Sequence, residues 1–88
     1  MATLYRANGT ATPIRPKKGK RFTVGELQKL VGGYVELIPM PGHYLAVNED
    51  GKLLDLNYNS NATRLVHQFG YGYVVGDAVY CDAEQIDE

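Results

Sequence analysis

Apolar positions along the chain come in short bursts separated by turn-forming residues, and the spacing within each burst predicts its form. Leu4–Ala7 is short and β-favouring. Asn8-Gly9 follows, a pair suited to a type I′ turn, and Thr10–Ile14 reads as the returning strand. Pro13 and Pro16 remove ladder donors, so that strand should end early or lie at a sheet edge. The period then changes. Val24, Leu27, Leu30 and Val31 share one helical face. Thr23 and Glu26 have capping-box spacing, Phe22 and Leu27 can form a hydrophobic staple, and Gly32-Gly33 supplies the C-cap, so a helix is predicted over 23–31.

The alternation resumes after the helix. Strands are expected at 34–38 and 43–47, separated by Pro39-Met40-Pro41-Gly42 and antiparallel because the connection is so short. Tyr34, Glu36 and Ile38 would share one face, with Glu36 facing solvent. Asn48-Glu49-Asp50-Gly51 is a turn with Gly at a position that tolerates positive φ, and Lys52-Leu53-Leu54 returns as a further short strand. Asn59 or Ser60 could cap a second helix from Asn61 to about Gln68, its inner face formed by Ala62, Leu65, Val66 and Phe69. Tyr73–Val75 and Ala78–Cys81 read as strands divided by Gly76-Asp77. The predicted fold is α+β, a small mostly antiparallel sheet with two short helices in the order ββ-α-ββ(β)-α-β, forming one domain over 1–81. Residues 82–88 form an acidic tail expected to fray.

The 88 residues, 44% hydrophobic and 22% charged, exclude a disordered chain. A single cysteine, Cys81, excludes an internal disulfide and a multi-cysteine zinc site. There is no secretory or membrane-spanning pattern, so a cytoplasmic protein is expected, in the host cell if phage-encoded. The net charge of −1 conceals a division: residues 1–44 sum to +5 and residues 45–88 to −6. Two opposed halves favour internal or subunit-to-subunit complementarity as much as an external partner, and a homo-oligomer is expected.

Several landmarks stand together in the chain: the hairpin, Phe22-Thr23 opening Glu26–Glu36, the run Val47-Asn48-Glu49-Asp50-Gly51-Lys52-Leu53, Asn61-Ala62-Thr63, and Val75-Gly76-Asp77-Ala78-Val79. Over about residues 10–81 the chain resembles domain-of-unknown-function family 3846, a small uncharacterised domain of phages, plasmids and bacteria. The resemblance implies a fold and a mobile-element setting. It brings no activity, because its most specific parts are turn and cap chemistry.

Catalytic constellations are absent from the pattern. His43 and His67 are far apart, no carboxylate has metal-ligand spacing, and Gly70-Tyr71-Gly72-Tyr73-Val74-Val75-Gly76 lacks the context and the Lys-Ser/Thr of a phosphate loop. No metal and no cofactor is expected. A Cys81–His pair is the nearest approach to a nucleophile. Seven tyrosines without tryptophan are the less usual feature, since each offers a stacking face and a hydroxyl. Tyr34, Tyr44 and Tyr58 flank the predicted loops. A pocket built on them would take His43, Asn57, Asn59, Asn61 and Arg64 as polar lining, a set suited to a nucleotide-like ligand. The expected function is therefore a non-enzymatic binding protein, phage- or plasmid-borne, that engages a host protein or sequesters such a ligand in a counter-defence role. The alternative is a nucleic-acid-associated accessory module. It would use the loop 15–21, where Lys17, Lys18, Lys20 and Arg21 form the anion-binding candidates beside Arg15.

Overall fold

Short β-favouring segments pair through tight turns, and the computed structural model, which describes residues 1–86, shows two such hairpins. The first joins β1 (Ala2–Tyr5) to β2 (Ala11–Ile14) and the second joins β3 (Val35–Met40) to β4 (His43–Asn48). The last strand, β5 (Ala78–Asp82), inserts between them, giving an antiparallel sheet in the order β2-β1-β5-β4-β3. The helices α1 (Val24–Val31) and α2 (Ser60–His67) complete an α+β domain.

The register assigns each side chain a face. Ala2, Leu4, Ala46, Val79 and Cys81 point to one side, where Phe22, Leu27 and Ile86 cover them. Leu45, Val47, Met40 and Ala78 point to the other and pack with Ala62, Val66 and Val74. Both faces of the central strands are thus buried, which is why β4 and β5 read as nearly continuous apolar runs. The two edge strands carry the interior prolines, Pro13 in β2 and Pro39 in β3. An edge strand can give up a ladder donor on its open side, so β3 runs on through Pro39 to Met40 instead of stopping at Ile38.

The first helix forms as its end signals require. Thr23 Oγ1 accepts from the Glu26 N–H at 3.1 Å, the Glu26 carboxylate accepts from the Thr23 N–H at 3.5 Å, and the helix closes on left-handed Gly32. Phe22 and Leu27 share one buried cluster, as the staple requires. Val24, in the first turn, stays 58% exposed and is not part of the inner face. On α2, Ala62 and Val66 are buried, whereas Phe69 lies beyond the helix end and is 46% exposed.

Four further expectations are corrected. The β1–β2 connection is not type I′, since Asn8 keeps negative φ. The Gly9 N–H donates to the Arg6 carbonyl at 3.0 Å and the Arg6 N–H to the Thr10 carbonyl at 2.9 Å, with Gly9 alone at φ 98°. This is a tight turn followed by one left-handed residue, for which the Asn8 side chain supplies acceptors to Thr10. Lys52-Leu53-Leu54 belongs to a turn closed by Leu54 N–H to Asp50 and Leu56 N–H to Gly51, not to a strand. Tyr73–Val75 makes only an isolated bridge, Val75 to Tyr58. The tail does not fray over its described part: Ala83–Gln85 form a 3₁₀ turn, and Ile86 is 7% exposed and bridged to Phe22. Ile86 is the one large apolar side chain beyond Cys81, and its burial ties the segment down. Asp87 and Glu88 lie outside the described residues.

Candidate functional site

The segment 71–75 crosses the α2 side of the sheet toward edge strand β3. Its path is fixed from both flanks. Thr63 Oγ1 accepts from the Val74 N–H at 2.9 Å, and the Tyr71 hydroxyl donates to the Pro39 carbonyl on β3 at 3.1 Å. Val74 is buried and holds the segment to the core while Tyr71 and Tyr73 remain exposed. Under this strap lies a cleft of about 260 Å³. Glu36 and Ile38 of β3 form its floor, Tyr71 and Tyr73 one wall, and Lys52 and Glu49 of the adjoining turn the other.

The turn carrying Lys52 is locked by Asn48. Its Nδ2 donates to the Val31 carbonyl at 3.2 Å and its Oδ1 accepts from the Asp50 N–H at 2.9 Å. Gly51 is not at positive φ. It is required by close approach, because a Cβ there would stand 2.9 Å from Val75 Cγ2. Placed this way, Lys52 Nζ sits 4.1 Å from the centroid of the Tyr73 ring, a cation–π contact. Tyr73 also faces Tyr58, with centroids 6.4 Å apart and planes tilted by 31°. Asn57, Tyr58, Asp55 and Lys52 line a second hollow of about 370 Å³ that shares Lys52, Tyr73 and Val75 with the first. The surface is therefore one run of tyrosine rings with an ammonium above them and carboxylates at the rim. Leu53, 85% exposed, projects from the same turn.

The eight residues assigned to a pocket from sequence are dispersed. Asn57 and Tyr58 line the hollow just described. Tyr34 is exposed on the α1 side, in a separate hollow of about 300 Å³ with Val24 and Leu27. His43 and Tyr44, consecutive on β4, face opposite sides of the sheet. The His43 ring stacks on Tyr80 at 4.8 Å, with Nδ1 3.0 Å from the Pro41 carbonyl and Nε2 3.1 Å from Asp82. Tyr44 packs against the α1-side core. Asn59 is fully buried and holds three segments together. It accepts from the Ala62 N–H at 3.0 Å and donates to the carbonyls of Tyr5 at 2.9 Å and Gly76 at 2.8 Å. Asn61 donates to the Gly9 carbonyl and accepts from Arg64. Sequence reasoning missed Glu36, Lys52, Tyr71 and Tyr73. The signal was the pair of tyrosines each preceded by a glycine, Gly70-Tyr71 and Gly72-Tyr73.

The anion-binding candidates do lie together. Lys17, Lys20 and Arg21 line an open groove of about 980 Å³, and Lys17 and Lys18 share a neighbouring hollow with Lys29.

Cys81 is fully buried on the α1 face, opposite Tyr44, whereas His43 pairs with Asp82 on the other face. Burial, with the Asp82 charge adding to it, pushes the thiol up to about 11. The pair suggested from sequence is thus split by the sheet. Among the described residues no three His, Cys, Asp or Glu side chains gather as a metal site would require, and no helix is long and apolar enough to cross a membrane.

Sheet, flanking helices and strap define a small α+β domain with a tyrosine-walled cleft at one sheet edge. The chain belongs to the family described as domain of unknown function (DUF3846), whose model matches residues 5–88. No curated protein matches the chain, and no solved structure does.

Proposed function

We propose that this chain is a small binding module whose cleft holds a planar, nucleotide-like ligand without turning it over. One observation carries the proposal: Tyr71, Tyr73 and Tyr58 present rings along one run of surface, and Lys52 lies over Tyr73. A flat ring can stack beside the ammonium on such a surface, where Lys52 can extend its cation–π contact to it. Glu36 on the floor offers acceptors to the amino and ring N–H groups of a base. With Glu36 and Glu49 against Lys52, the carboxylates favour an uncharged or amino-bearing ring over a phosphate in the cleft itself, so phosphate would lie toward Lys52 or solvent. The setting that this reading fits is a phage- or plasmid-borne protein that withdraws a nucleotide signal from its host cell.

The test is a calorimetric and thermal-shift panel of nucleosides, mononucleotides and cyclic nucleotides against the whole chain. At least one member should bind and raise the melting temperature. Tyr73→Ala should abolish that binding, and Lys52→Ala should weaken it roughly 2- to 30-fold, the range expected of a cation–π contact. A panel without binders, binding that survives Tyr73→Ala, or a ligand recovered chemically altered would each overturn the proposal.

A further inference from the structure

The loop that follows β2 concentrates charge that the rest of the fold does not use. Arg15, Lys17, Lys18, Lys20 and Arg21 put five cations into seven residues, and all five are exposed. Among the described residues none of them enters an ion pair: the pairs there are Met1–Asp82, Arg6–Asp77 and His43–Asp82. Two nearby carboxylates among the described residues are occupied elsewhere. Glu26 accepts from the backbone N–H groups of Lys17 at 2.7 Å and Thr23 at 3.5 Å, and Asp82 is held by the Met1 ammonium and His43. Among the described residues, Glu84 is the remaining acid on the groove wall. We infer that this loop and the groove behind it form a docking surface for the phosphate backbone of a duplex nucleic acid.

The loop is anchored at both ends. The Lys17 N–H is tied to Glu26, and Phe22 is buried with its N–H donating to the Gln85 carbonyl at 2.6 Å. An array held in place loses less conformational freedom on binding than a free tail does. The groove of about 980 Å³ opens along edge strand β2, whose Ala11, Thr12 and Pro13 are exposed. The acidic residues Glu49, Asp50 and Asp55 follow the end of β4 that pairs with Val35. That end is remote from the β1–β2 end, where Ala2 meets Ile14 and the loop begins. Among the described residues the five loop cations outnumber Asp82 and Glu84 at that end, which would face a polyanion.

The loop composition decides among polyanions. Its residues, Arg-Pro-Lys-Lys-Gly-Lys-Arg, include no aromatic ring to stack unpaired bases, which argues against single strands. They include no large apolar anchor for a protein hot spot or a lipid surface. What remains is charge neutralisation along a backbone, which carries no sequence preference.

The experiment is fluorescence anisotropy of the full chain with a labelled mixed-sequence DNA duplex across a salt series. Five phosphate contacts give a slope of log K against log salt near −4.5, a loss of roughly 500-fold for a fourfold rise in salt. Lys17→Ala with Lys18→Ala should bring the slope about 2 closer to zero. All four substitutions, Lys17→Ala, Lys18→Ala, Lys20→Ala and Arg21→Ala, should abolish binding while the melting temperature holds. Tyr73→Ala should leave duplex binding intact, which separates this surface from the cleft. No binding at low salt would overturn the inference. So would binding indifferent to the fourfold variant, or tighter binding to polyglutamate, to anionic vesicles or to a second copy of the chain by light scattering.

Discussion

Asn59 offers the sharpest test of the structure, because its position in the sequence suggests a ligand contact and its position in the fold makes it a tie. Its side chain is wholly buried and makes three hydrogen bonds, to the Ala62 N–H, the Tyr5 carbonyl and the Gly76 carbonyl. Asn59→Ala removes a helix N-cap, a loss of about 1 kcal/mol. It also strips the buried Gly76 carbonyl of its side-chain donor, which costs about 1–3 kcal/mol more. A total of about 2–4 kcal/mol compares with about 4–13 kcal/mol expected for a domain of this length. The melting temperature should fall on the order of 10–30 °C. Asn59→Ser keeps the cap oxygen and should recover about 1 kcal/mol, while Asn59→Asp sets a carboxylate against two carbonyl oxygens and should be the worst of the three. Urea unfolding of the four proteins, followed by circular dichroism, gives the order wild type, Ser, Ala, Asp. An Ala variant within about 0.5 kcal/mol of wild type, below the usual cost of a lost cap, would refute the reasoning. Equal tolerance of Asp and Ser would refute it too.

Three further outcomes follow from the same contacts. Cys81, buried and with its thiol pushed up to about 11, should resist Ellman's reagent at mildly alkaline pH in the native state and react at once in denaturant; rapid native labelling would contradict the burial. Asp82 is held below the usual carboxylate range first by the hydrogen bond from the Met1 ammonium and also by His43. Its contribution is therefore present above the ordinary carboxylate pKa and is lost as pH falls through its lowered value, so Asp82→Asn should flatten the acid limb of the stability curve. Gly51→Ala forces a methyl against Val75 Cγ2 at 2.9 Å, with the Asn48 carbonyl 3.3 Å away. It should cost about 1–3 kcal/mol and displace the segment that walls the cleft, read as a lower melting temperature and weaker binding of whichever ligand the panel identifies.

Local chemistry was the legible part of the fold. The capping box at Thr23 and Glu26, the glycine C-cap, the two hairpins and the apolar runs of β4 and β5 are short-range features whose signals lie within a few residues of each other. The errors have identifiable causes. Pro39 looks like a strand terminator until the sheet order makes β3 an edge. The tail looks free until Ile86 finds Phe22, which lies 64 positions earlier. Leu53 and Leu54 look like a strand until Asn48 and Gly51 wind the segment into a turn. In the first two cases a long-range contact overrode the local preference, and in the third short-range turn hydrogen bonds did.

The site was less legible than the fold for a related reason. Polar residues at loop junctions have two uses, and sequence cannot separate them. Asn59 and Asn61 look like ligand donors, yet their amides are occupied by backbone carbonyls from β1, the first hairpin loop and the turn before β5. A strand also places neighbouring residues on opposite sides, so the consecutive pair His43-Tyr44 never shared a pocket. The same alternation sets Glu36 on the α2 side, opposite Val47, where the 71–75 strap passes over the edge. The tyrosine excess was visible, but which rings would meet depended on the strap, and the strap depends on one hydroxyl reaching Pro39 and one threonine holding Val74. Gly70 and Gly72 leave Tyr71 and Tyr73 little local cover, so their rings stay exposed on a segment whose backbone is pinned. Exposed rings on a pinned backbone are what the proposed ligand-stacking wall requires, whereas a core-building role would have buried them.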